Sequence, residues 1–386
     1  VSTAAGNGVR PAPPAADPGR EEFAGALADV LGALPRDADG RRVWAALGSA
    51  GLLRGVYRAG DPAAGVVPAR LGALLAAADA HVGIGSTLAS CVQLATAVPL
   101  LAAARGPGPA GRTAGAALDG ARTVALAATD ESPGCDLAAL GTRVSLGDTE
   151  VEVDGVKRWI TNATWCEYAL VLARHRPGRH FTSFTWVLVP ADAPGVTVER
   201  ADTDLFDGSG TGHLRLERVR LPRAHLVGRP GMGLAGFAAH IAVERLAGAL
   251  WGTALCGRVL ADTKRRLMAR PVGDGSLWHL ESVRQRFAAC LVQVRQLHAL
   301  TGELADRVAT RHDTTAAALL KSSAAATVER VLTECAHLQG AEGFAVTGAQ
   351  RLRAQAALFG IGGGTTEVVL SVVGDAADSV LAELAI

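Results

Sequence analysis

A three-part α+β chain is predicted, with an all-helical first segment, a middle β segment built as an antiparallel barrel or sandwich, and a closing four-helix bundle. Three observations predict it. Apolar residues recur at three- and four-residue spacing from Glu21 to about Arg105, which is the period of an amphipathic helix. Between Thr123 and Gly228 they fall instead in short alternating or β-branched runs separated by Gly, Asp and Pro. From Gly233 the helical period returns over long stretches. With 386 residues, 49% of them hydrophobic and only 19% charged, the chain has the apolar content to bury large cores, unlike a disordered chain.

In chain order, residues 1–20 (VSTAAGNGVRPAPPAADPGR) are rich in Ala, Pro and Gly and predict a mobile tail. They lack the charged start and apolar run of a secretion signal, and no later stretch offers about 20 uninterrupted apolar residues, so a cytoplasmic protein with no membrane association is expected. Residues 21–121 form the first helical domain, broken by the GPGPAGR loop at 106–112 before one last short helix. Residues 122–230 hold seven candidate strands: TVALAAT, TRVSLG, EVEVDGVKRWI, YALVLAR, TSFTWVLVP, VTVERA and GHLRLERVRL. No helical pattern interrupts them, which favours antiparallel pairing over βαβ units. Residues 231–386 carry four long helical patterns, the last of them EVVLSVVGDAADSVLAELA.

Charge and cysteine usage exclude several classes. Lys and Arg number 38 against 37 Asp and Glu, a net charge of +1, so nothing draws the chain to nucleic acid. Six cysteines stand singly, without the close pairing of a zinc site or a disulfide framework. His240 and Glu244 lie four apart on one helical pattern, but no third ligand accompanies them and no metal is expected. Gly231-Met-Gly-Leu-Ala-Gly236 fits G-x-G-x-x-G, yet a dinucleotide site also needs a βαβ unit and an acidic residue about 20 positions on, and both are missing.

The informative motifs are Thr129-Asp-Glu-Ser-Pro-Gly-Cys-Asp136 and Asp154-Gly-Val-Lys-Arg-Trp-Ile-Thr-Asn162, followed by Gln339-Gly-Ala-Glu-Gly-Phe344 and Gly364-Thr-Thr-Glu367. In order and spacing they resemble the acyl-CoA dehydrogenase family over residues 21–386, least so near the N-terminus. That resemblance implies the three-domain acyl-CoA dehydrogenase fold and FAD, since no amino-acid side chain accepts a hydride. It implies that Thr129, Gly134, Cys135, Trp159 and Thr161 meet the flavin and its pyrophosphate, with Cys135 replacing the family's serine. Arg270, 25 residues after Arg245, is implied to reach the pyrophosphate of a cofactor bound by a neighbouring subunit, with Arg265 as the competing choice; Gln339, Gly340 and Thr365 would lie along the same cofactor.

The resemblance also places the chemistry. Many members carry a catalytic glutamate just before the G-T-S/T turn, where this chain has Gly363. A second branch carries it on the helix of the Glu-Arg pair, here Glu244 and Arg245, which makes Glu244 the expected base and Arg245 an expected substrate-binding residue. The implied activity is α,β-dehydrogenation of an acyl thioester, on coenzyme A or an acyl carrier protein, in specialised metabolism. Electron-transfer flavoprotein would be the oxidant, and the chain a homodimer or homotetramer. Two rival readings remain open, a flavin monooxygenase on the same fold and a non-catalytic subunit of a heteromeric dehydrogenase. The family's Arg-Asp before the final loop reads Ala354-Gln355, and Arg54-Gly-Val-Tyr-Arg-Ala-Gly-Asp61 lacks the family's Pro and paired Gly, so substrate recognition has drifted.

Overall fold

The computed structural model describes residues 19–104, 106–131 and 136–385, so most of the expected tail, together with Gly134 and Cys135, lies outside the described residues. The chain opens with α1 (Arg20–Gly32), α2 (Gly40–Ser49), α3 (Leu52–Gly55), α4 (Pro68–His81), α5 (Ile84–Val92), α6 (Val98–Ala103) and α7 (Pro109–Leu118). Local chemistry sets several starts. The Asp39 carboxylate accepts the Arg42 N–H to cap α2, and prolines occupy the first turns of α4 and α7, where a missing N–H costs nothing. Between α5 and α6 the helix widens into a π turn, Gln93–Ala97, fully buried.

The seven expected strands all form: β1 (Val124–Ala127), β2 (Arg143–Leu146), β3 (Glu150–Ile160), β4 (Tyr168–Arg174), β5 (Phe184–Pro190), β6 (Val196–Arg200) and β7 (Gly212–Pro222), with a two-residue β8 (Leu226–Val227). Their order is β6-β7-β3-β2-β4-β5-β8, with β1 beside β4. Pairing is antiparallel except that β1 runs parallel to β4 and β2 touches β4 in parallel at one residue pair. The expectation of a purely antiparallel sheet is corrected there. Parallel neighbours need a crossover, and here the β2–β3 hairpin supplies it in place of a helix.

The last segment holds α8 (Gly233–Ala269), a small hairpin β9 (Pro271–Val272) and β10 (Gly275–Ser276), then α9 (Glu281–Arg311), α10 (Thr314–Gln339), α11 (Ala349–Ala356), α12 (Leu358–Ile361), α13 (Thr366–Asp375) and α14 (Ala377–Leu384). The single fourth helix expected from the sequence is two, broken at Ala376 just after Gly374 and Asp375, both weak helix formers. Gly233 begins α8 pressed against β5, where a Cβ would come within 2.8 Å of the Phe184 backbone. Its carbonyl accepts the Trp186 indole N–H at 2.9 Å, so the glycine of the G-x-G-x-x-G match is explained by helix–strand contact.

One apolar core runs through the first helices, one face of the sheet and α8–α10, while a second, built on Val153, Val171, Val187 and Leu214, fills the sheet's interior. Ile84–Ala103 is long and apolar enough to cross a membrane but is 94% buried among its neighbours, as a core helix is. Ala349–Asp375 passes the same test, contrary to the sequence expectation, and is only 17% buried. It is interrupted by the Gly362–Gly364 turn, and a continuous helix is what lipid demands.

Candidate active site

The two sheet motifs are clamped to each other from beneath. Lys157 is fully buried, and its ammonium meets Asp130 Oδ1 at 2.5 Å and the Ala128 carbonyl at 3.1 Å. The Asp130 carboxylate also accepts the Gly141 and Thr142 N–H groups and the Thr142 hydroxyl, so both charges are saturated. Burial pulls the Lys157 ammonium down to about 8, with Asp130 pushing it back up. The Arg158 N–H donates to the Thr129 carbonyl and completes the junction. This pair is the role of the lysine in G-x-K-x-W-I-T-N, and sequence reasoning missed it; an aspartate directly after Thr129 and a lysine at an inward-facing position of the next motif were the signal.

Beyond Lys157 the strand bulges. Lys157 pairs with Leu214 but Ile160 pairs with Gly212, so β3 carries one residue more than β7 across this step. The extra residue turns Trp159 to φ +57 and pushes its indole out to 56% exposure, edge-on to His213 at 5.5 Å. A core role for Trp159 is thereby excluded, because a flat ring is offered to the outside at some backbone strain. The hydroxyls of Thr129, Thr161 and Thr365 make no hydrogen bond among the described residues; Thr365 opens α13 without capping it.

Glu244 sits on α8 with Oε2 accepting the Thr96 hydroxyl at 2.6 Å. Burial raises its carboxyl above the ordinary carboxylate range, while the Thr96 bond and the nearby cations of Arg245 and Lys321 work against that rise. Arg245 Nε donates to the Gly363 carbonyl at 3.1 Å, and the Lys321 ammonium donates to the Phe359 carbonyl, so segment 359–364 is gripped at both ends. Gly363 and Gly364 have φ of +72 and +100, which only glycine adopts without strain. A Cβ at position 363 would lie 3.8 Å from Glu244 Oε1. The two positions named from the resemblance, 363 and 244, therefore lie side by side in space, and at the first of them this chain has glycine.

The buried helix α5 and its π turn join the two halves. Ala89 accepts the Asn162 side-chain N–H at 3.0 Å, Gln93 Oε1 accepts the Val124 N–H at 2.8 Å, and Thr96 holds Glu244. At spacings of four and three residues these contacts share one face, tying the W-I-T-N turn, the start of β1 and the carboxylate to a single rod.

Of the remaining expected site residues, Arg270 and Gly340 are brought together: a Cβ on Gly340 would stand 3.2 Å from Arg270 Nη1. Arg270 is exposed and has no carboxylate partner among the described residues, whereas Arg265 pairs with Asp262 at 3.0 Å, which favours Arg270 as the free cation. Gln339 is turned inward, donating to Thr263 and accepting the Ala349 N–H, so only its backbone faces outward duties. Arg245 is committed through Nε to the glycine turn it braces. Among the described residues no cluster of three or more His, Cys, Asp or Glu side chains is placed to hold a metal ion.

Residues 125–219 match the model of the acyl-CoA dehydrogenase middle domain and 231–377 that of the acyl-CoA dehydrogenase C-terminal domain. The chain is 32% identical over 272 residues to the acyl-[acyl-carrier-protein] dehydrogenase MbtN of Mycobacterium sp. (strain MCS), covering 67% of this chain and 66% of that protein. It is 31% identical over 274 residues to MbtN of Mycolicibacterium paratuberculosis, covering 68% of each. A glutaryl-CoA dehydrogenase from Mycobacterium smegmatis, solved in complex with FADH2, shares the fold at a TM-score of 0.83 with 19% identity, over 94% of this chain and 95% of that one. With both domain models matched in order and a relative 31% identical over about two thirds of each chain, this chain belongs to the acyl-CoA dehydrogenase family.

Proposed function

We propose that this chain is an FAD-dependent dehydrogenase of acyl thioesters, with Glu244 as the base that removes the α-proton. The observation that carries the reading is the convergence of Glu244 Oε1 on the space over Gly363. The residues present suit the cofactor: an outward-facing Trp159, three uncommitted threonine hydroxyls, and an unpaired Arg270 guanidinium against a glycine that leaves room for a phosphate. When bound, FAD supplies the hydride acceptor that side chains lack.

The chain's own contribution is the proton step. Thr96 occupies Oε2, which leaves Oε1 directed at the substrate; as the Cα–H bond breaks, the proton passes to Oε1 and the carboxylate becomes neutral. Burial favours that neutral product, and Arg245 and Lys321 keep the ionised form populated beforehand. Trp159 and Thr161 would bound the flavin, with Thr129 held beside them by the Asp130–Lys157 clamp.

A carrier-protein thioester fits the name of the mycobacterial relatives, and electron-transfer flavoprotein or a similar acceptor would take up the electrons. Ile361, Leu370, Leu381 and Leu384 are exposed on α12–α14 and suit burial against a second copy in a dimer or tetramer. The five described cysteines are buried free thiols, in keeping with a reducing cytoplasm. The test is anaerobic addition of acyl thioesters, on coenzyme A and on carrier protein, to the flavin-loaded chain. Bleaching of the visible flavin band that is lost in Glu244→Gln supports the reading, and full bleaching in that variant overturns it.

A further inference from the structure

One turn before Glu244 on α8, a cleft of about 190 Å³ opens between the 58–66 segment, the π turn, α6 and the end of α9. Its walls include Ala95 and Val243, the chain neighbours of Thr96 and Glu244, so it lies next to the Thr96–Glu244 pair. His240 is one helical turn, four residues, from Glu244, a rise of about 6 Å.

The lining is wrong for a plain hydrocarbon tail. Arg58 is half-buried, gives one N–H to the Ala309 carbonyl at 3.3 Å, and has no carboxylate partner among the described residues. His240 and His312 face each other edge-on at 5.9 Å, and the buried Nδ1 of His312 has no hydrogen-bond partner. No Asp or Glu lines the cleft. A buried polar nitrogen left without a partner costs about 1–3 kcal/mol, so such groups ordinarily meet something. Arg58 also belongs to the stretch Arg54–Asp61, where the sequence departs from the family's pattern, which places that departure on the wall of this cleft.

We propose that the cleft receives the far end of the acyl group and that this end is a carboxylate, bound by the Arg58 guanidinium and by N–H groups of His240 and His312. The assignment rests on the thioester reading above and names its substrate class: ω-carboxyacyl thioesters. Burial and the neighbouring His312 hold His240 down to about 4, so at neutral pH the His240 imidazole enters as a neutral hydrogen-bond partner. The fixed charge is that of Arg58, which suits bidentate capture of a carboxylate.

Two measurements test this. The first compares glutaryl-CoA with pentanoyl-CoA, equal in chain length, as substrates of the flavin-loaded protein. The carboxylate-ended thioester should lead in kcat/KM by roughly 10- to 100-fold, the scale of a charged hydrogen-bonded contact. Arg58→Leu should collapse that ratio and Arg58→Lys should retain part of it, with matched melting midpoints confirming that both variants fold. The second is calorimetric titration of free pentanoate, whose carboxylate alone should bind the wild type and fail to bind Arg58→Leu. A wild-type preference for pentanoyl-CoA, or a ratio that survives Arg58→Leu, overturns the assignment. If neither thioester bleaches the flavin yet pentanoate binding depends on Arg58, the cleft assignment stands and the dehydrogenase reading falls; if pentanoate binding is also absent, the cleft assignment falls.

Discussion

Two buried lysines in this molecule live under opposite terms. Lys157 lies beneath the sheet loops facing a carboxylate that takes four hydrogen bonds, including its own. Lys321 lies beneath the glycine turn, bonded to a carbonyl, with Glu244 and Arg245 near but unpaired with it. Burial draws each ammonium down to about 8. The first cluster is saturated, so its charges hold shape and have nothing left to react with. The second is left short of partners, so its carboxylate stays responsive to its surroundings. A saturated charge builds a site, and an unsatisfied one works in it.

The largest way to break the comparison is Lys157→Met. Leaving Asp130 buried and uncompensated should cost about 3–5 kcal/mol of stability and abolish flavin retention, measured by thermal melting and by the 450 nm region of the spectrum. Glu244→Gln should do the reverse, keeping the flavin and the melting midpoint while turnover falls by roughly 10²- to 10⁴-fold, the usual worth of a general base. Stable flavin binding in the first variant, or unfolding in the second, would erase the distinction.

Finer changes sharpen it through pH. As the proposed base Glu244 has to be ionised to take a proton, so turnover should rise with pH through a midpoint above the ordinary carboxylate range, because burial raises Glu244. Removing the cation in Lys321→Met takes away one influence that lowers Glu244, so the midpoint should move further up. Thr96→Val removes a hydrogen bond that also favours the ionised form and should move it the same way, with melting little changed. A pH–rate profile across pH 5–9 reads both, and a midpoint that falls in either variant would reverse the assigned roles.

Most of the fold was legible because period and breakers are local. All seven strands lie where β-branched alternation put them, and α8–α10 follow the long helical repeats. What escaped depends on distant residues. The parallel β1–β4 pair needs a hairpin crossover that no local pattern announces. The exposed Trp159 follows from a bulge, which is a relation between two strands rather than a property of one. In the site, Glu244, Arg270 and Gly340 were named from the family resemblance, and the structure sets Glu244 beside Gly363 and Arg270 beside Gly340, while Thr96 and Lys321 were missed because nothing in their own neighbourhoods marks them. Gln339 shows the converse, a residue in a matching motif whose side chain serves the interior.

The rod formed by α5 and its π turn has a consequence for how such a chain is able to vary. Ala89, Gln93 and Thr96 set, in one buried stretch, the separation between the turn that would flank the hydride acceptor and the carboxylate proposed to take the proton. It acts as a gauge block: the interval is machined once, and both half-reactions inherit it. Loops such as Arg54–Asp61 are free to be recut for a new substrate, but one residue lost from the α-helical stretch between Ala89 and Gln93 would rotate the contacts beyond it by about 100° and put the two halves out of register together.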